Sequence, residues 1–134
     1  MEDKKSKVLN ISLWVAQTIL AVLFLMAGSM KSFQPIETLS QTLPWVSEMP
    51  TVLIRFIGIS ELLGGLGLIL PGVLRIKPKL VGYAALGLFV VMILAACYHV
   101  MKSEYDVIGT NVLFGGLAAF IAWGRLRYLP IREK

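Results

Sequence analysis

The sequence is short of the groups on which most protein chemistry relies. It has one cysteine and one histidine in 134 residues, so no internal disulfide forms and no CxxC or Cys/His cluster can hold zinc or an iron–sulfur centre. Charge is scarce too: Asp, Glu, Lys and Arg make up 16% of the chain, against about 25% in ordinary globular domains. With 57% apolar residues, that scarcity excludes a disordered tail, a disulfide-stapled secreted domain and an ordinary water-soluble enzyme. Phosphate-loop, dinucleotide and nucleophile-elbow signatures are missing as well. The run Gly64-Gly65-Leu66-Gly67 follows no strand and cannot form a Rossmann turn. What the chain does have is long apolar runs and a mean hydropathy of +0.76.

Those runs predict four transmembrane helices, over residues 10–30, 51–70, 80–101 and 107–124, which contain only Arg55 and Glu61 as formal charges. A helix of about 20 residues crosses a hydrocarbon core of ~30 Å, and backbone in lipid must satisfy its hydrogen bonds within the segment. The fourth run is marginal in length. No run alternates apolar and polar residues over about 10 positions, as a barrel strand would. The expected fold is an all-α integral membrane four-helix bundle, one domain over residues 1–134, located in the cell membrane as a multi-pass protein.

The basic residues set an orientation. Lys4, Lys5 and Lys7, then Arg75, Lys77 and Lys79, then Arg125, Arg127, Arg132 and Lys134 fall on one face of a four-span chain, which is ten of the thirteen cations. The positive-inside rule places both termini in the cytoplasm. On this reading the bases are topological anchors and contacts for anionic lipid, and nucleic acid is not a partner. Lys residues followed by an apolar run and Ala27-Gly28-Ser29 mimic a signal peptide, but the run exceeds a usual h-region, and an uncleaved span is expected. Between the first two spans, Pro35 can start a short helix and Pro44 can end it, with Ile36, Leu39 and Leu43 on one side. Two readings fit: an amphipathic helix in the outer interface, or an ordered loop capping the bundle. Leu70-Pro71-Gly72 reads as a helix stop and Lys77-Pro78 as a restart.

Polar groups within the spans are the candidates for chemistry. Glu61 lies about 10 residues into the second span, ~15 Å below the outer surface, where an ionised carboxylate needs partners or water. Gly58, Gly64 and Gly65 surround it and allow a helix or ligand to approach. Lys31 shares a stripe with Gln17, Ala21, Phe24 and Gly28; it can snorkel outward or serve Glu61 as counter-ion, across an axial gap of ~15 Å. His99, at the outer end of the third span, can pass protons or bind a quinone oxygen, or rest at the interface. Asn111 could join it, while Gly115, Ala118 and Ala122 continue a packing seam. Arg55 lies near the outer boundary. Together Lys31, Arg55, His99 and Asn111 suggest a polar pocket opening outward above Glu61.

At these positions the chain resembles the DoxX-like family of small four-helix membrane proteins, within the wider DoxX/DoxD group. The resemblance rests on Ala27-Gly28-Ser29-Met30-Lys31, on Arg55-x-x-Gly58-x-x-Glu61-Leu62-x-Gly64-x-x-Gly67-Leu68-x-Leu70-Pro71, and on Ala95-Ala96-x-x-His99. It implies a four-helix fold and motif positions at Lys31, Arg55, Glu61 and His99. Relatives in the group are linked to thiosulfate:quinone oxidoreduction and to membrane complexes handling thiol or oxidative stress. The function expected from residues and resemblance is a subunit or helper of a quinone-linked oxidoreductase. Glu61 and His99 would be its catalytic groups, and Lys31, Arg55 and Asn111 would bind the ligand. Its partners would be the bilayer, a quinone or small apolar ligand, and an oxidoreductase or a second copy of the chain. The rivals are a non-catalytic module binding an apolar ligand or lipid, and a purely structural or assembly protein.

Overall fold

The computed structural model describes residues 4–133; Lys134, counted above among the basic residues of the terminal face, lies outside them. The elements are α1 (Lys4–Phe33), α2 (Ile36–Thr42), a 3₁₀ turn (Pro44–Glu48), α3 (Thr51–Leu74), α4 (Lys79–Met101), a 3₁₀ turn (Tyr105–Val107), α5 (Ile108–Trp123) and a π turn (Gly124–Tyr128). The described residues contain no strand. α1, α3 and α4 are each long and apolar enough to cross a membrane, and so is the continuous helical run Tyr105–Tyr128. The fourth span is therefore longer than the apolar run suggested, because a 3₁₀ turn and a π turn extend it at both ends.

Apolar residues face both ways. Val8, Ile11, Val15, Ile19, Val22 and Met26 are exposed on α1, while Leu13, Leu20, Ala21 and Phe24 are buried on its other side. In lipid an outward apolar surface is solvated, so association depends on close packing and on small residues. The tightest example joins α1 to α3. A Cβ added to Gly58 would lie 2.7 Å from both Ser32 N and Ser32 Oγ, and one added to Gly28 would lie 2.7 Å from Gly58 O. Gly64 packs under Leu88 and Gly67 against Ala84, joining α3 to α4. Gly124 packs on Leu13, and Phe24 meets Phe114 edge-on with ring centres 5.9 Å apart, joining α5 to α1. The four spans thus close in the order α1, α3, α4, α5. The glycines near Glu61 receive neighbouring helices.

The structure corrects the expected stop at Pro71. α3 runs through it and ends at Arg75, whose left-handed φ of 57° terminates the helix. Pro71 removes one bond, to Gly67 O, but an early stop in lipid would leave several carbonyls bare, so continuation costs less. α2 forms as expected and caps the bundle: Leu39, Val46 and Ile54 form a small buried cluster with Ile36, Leu43, Trp45, Met30 and Met49 around it.

Candidate functional site

The packing that joins α1 to α3 also sets the depth of the polar groups. Lys31 lies beside Gly58, seven residues into α3, so α1, which ends two residues later at Phe33, stops about 7 Å short of the level at which α3 begins. The expected gap of three turns between Lys31 and Glu61 is therefore only about one turn. Lys31 Nζ donates to Glu61 Oε1 at 2.8 Å, with side-chain exposures of 13% and 2%. The ammonium also lies 5.6 Å from the centre of the Trp45 ring, a cation–π distance.

This pair forms part of the wall of a cavity of about 600 Å³. Phe24, Met92 and Phe114 line it toward the middle of the bundle, and Leu43, Trp45 and Met49 of the capping segment line it at the other end. His99 and Asn111 line it as well. The sequence led us to expect a polar pocket opening outward; the cavity is instead largely apolar and carries a roof, because α2 and its 3₁₀ turn fold over the short end of α1.

The remaining candidates divide. His99 is buried, with Nδ1 3.0 Å from Glu104 Oε1 and its ring edge-on to Trp45 and Tyr98. Asn111 lies on the cavity wall, where its Nδ2 is buried and has no hydrogen-bond partner among the described residues. Arg55 is directed elsewhere. Its NH1 donates to Lys31 O at 3.1 Å and Gln34 O at 2.7 Å, and it is not among the lining residues. A cation suits the bare carbonyls of a helix C-terminus, so Arg55 caps α1 and positions Lys31.

Sequence reasoning missed three features. Glu104 is absent from the candidates drawn from the sequence, although it lies five residues after His99 and holds its ring. Tyr98 is likewise absent from the candidates, yet it lines the cavity and its hydroxyl is buried without a partner among the described residues. Arg125, counted as a lipid-facing anchor, is 2% exposed at the opposite end of the bundle. There its Nε donates to Gln17 Oε1 at 2.7 Å and its NH1 to Asn10 Oδ1 at 2.9 Å and Leu129 O at 3.0 Å, under the Trp14 ring. Gln17 in turn donates to Leu68 O at 2.8 Å. The heptad spacing of Asn10 and Gln17 on the buried stripe of α1 was the available signal.

Four long apolar helices closing around small residues, with charge confined to a buried pair and the ends, define a multi-pass integral membrane bundle. The model of the DoxX-like family matches residues 15–121, and the chain belongs to that family. No curated protein and no solved structure matches the chain.

Proposed function

We propose that the chain is a membrane-embedded subunit or helper of a quinone-linked oxidoreductase, holding the quinone in the cavity beside Lys31 and Glu61. The observation that carries this reading is an ion pair, 2.8 Å long, in the wall of an otherwise apolar cavity of about 600 Å³. Binding sites for small molecules fall in this size range and combine apolar walls with a few polar groups. Reduction of a quinone to a quinol takes up two electrons and two protons. The electrons come from the partner enzyme, and Glu61, held by Lys31, is the carboxylate that relays protons at the cavity wall. His99, oriented by Glu104, is the second proton-exchanging group. Asn111 binds the ligand, and Arg55 acts indirectly by fixing the end of α1.

The test is to purify the chain in mild detergent, extract what accompanies it, and assay for quinone by mass spectrometry and by ultraviolet difference spectra on borohydride reduction. Quinone at near-stoichiometric amounts, reduced several-fold in Glu61→Gln while the variant stays folded, supports the reading. Unchanged occupancy in Glu61→Gln across pH 5 to 9 rejects the role of the carboxylate. A co-purifying lipid with no redox response selects the rival reading, a non-catalytic carrier, which the predominance of apolar side chains in the wall favours.

A further inference from the structure

The cavity has a side as well as a roof. Leu53 and Phe56 of α3 and Leu94 of α4 line it, and they are also 42%, 66% and 64% exposed on the outer surface of the bundle. In their other halves α3 and α4 pack closely at two glycines, Gly64 against Leu88 and Gly67 against Ala84. Toward the cap their facing side chains border the cavity. The neighbouring exposed residues, Val52, Leu63, Val90 and Ile93, are apolar, so this seam faces acyl chains. Inside, two polar atoms have no partner among the described residues: Tyr98 Oη and Asn111 Nδ2, on α4 and α5. A buried donor without a partner is destabilising, and an acceptor supplied by a ligand removes that cost.

We propose that the cavity is loaded sideways from the bilayer, through the seam between α3 and α4, by a membrane-dissolved molecule. Its carbonyl-type oxygen accepts hydrogen bonds from Tyr98 and Asn111. This rests on the reading that the cavity holds a small molecule, and adds its route of entry and the groups that orient it. Water-soluble ligands have no part in this scheme, because the seam is flanked by lipid-facing side chains. Tyr98 and Asn111 select for the oxygen, whereas the surrounding apolar wall accepts the chain.

Trp45, which lines the cavity, reports on entry. Its fluorescence in lipid nanodiscs is the difference between the chain and its Trp45→Phe variant, which leaves Trp14 and Trp123 untouched. Three quenchers are compared: a long-chain bromoketone, the bromoalkane of equal length, and aqueous acrylamide. Strong quenching by both bromo compounds and weak quenching by acrylamide is the expected result, with bromine quenching reduced in Ser60→Phe, which narrows the seam. Acrylamide quenching that exceeds bromine quenching overturns lateral entry. The bromoketone should half-quench at roughly 3- to 10-fold lower concentration than the bromoalkane, and Tyr98→Phe with Asn111→Leu should abolish that preference. A preference that survives both substitutions overturns the assignment of the donors. Bromine quenching without any recovered quinone rejects the quinone reading and leaves the route intact; recovered quinone with acrylamide-accessible Trp45 does the reverse.

Discussion

Lys31 and Glu61 meet across 2.8 Å because Lys31 is level with Gly58, one helical turn from the carboxylate. The ion pair thus depends on how far α1 rises along α3. Any change that slides the two helices past each other by one turn separates the charges.

Removing one member of this pair leaves a buried charge without compensation, a change that typically costs about 3–5 kcal/mol. Lys31→Met should destabilise the chain strongly on its own. Lys31→Met combined with Glu61→Gln should cost less than the two single changes added together, with a coupling of about 1–3 kcal/mol. Thermal unfolding of all four proteins in detergent measures this, and strict additivity would show that the pair contributes no coupling.

Glycine substitutions should divide by position. Gly58→Ala drives a Cβ into the backbone of Ser32 and should cost about 1–3 kcal/mol while loosening the Lys31–Glu61 contact. At Gly87 an added Cβ meets nothing within 4 Å, so Gly87→Ala should be neutral or stabilising by up to about 1 kcal/mol. Equal melting temperatures for the two variants would contradict the packing of α1 on α3.

Arg125 distinguishes an interior clamp from a lipid anchor. Arg125→Met leaves Gln17, Asn10 and Leu129 oxygens without their donor and should cost about 2–4 kcal/mol. Arg125→Lys should recover only part of this, because one ammonium cannot reproduce the guanidinium fork. Were Arg125 a mere surface charge, the lysine variant would melt with the parent.

The orientation follows from the distribution of basic residues and is open to labelling. In a Cys97→Ala background, cysteines at Ser47 and Ser103, both at the cap end, should react with an impermeant maleimide from outside the cell. A cysteine at Ser6, at the opposite end, should react only after permeabilisation. The reverse pattern would invert the molecule.

Length and hydropathy alone disclosed the four spans, since lipid imposes both on any helix that crosses it. They could not disclose which side of each helix faces inward: Met26 and Phe24 are equally apolar, yet one is exposed and the other buried. Depth was misread for a related reason. From length alone the ends of α1 and α3 are level, which sets Lys31 about three turns from Glu61 and leaves Arg55 free to face a pocket. The offset between the helices, which comes from Gly28 and Gly58, reverses both inferences. Glu104 was not legible as a site residue because it sits in a connection, where no periodicity indicates direction.

Gln17 is bonded both to Leu68 O of α3 and to Arg125, 108 residues further along the chain. During synthesis, therefore, the first span enters the bilayer with an amide oxygen that nothing yet made can satisfy from the far end of the chain. The last helical turn brings the missing donor, and with it a cation that lipid accepts only once Gln17 and Asn10 surround it. The first and last spans thus complete each other. A chain that stopped before residue 125 would leave Gln17 Oε1 in α1 without the donor that Arg125 supplies.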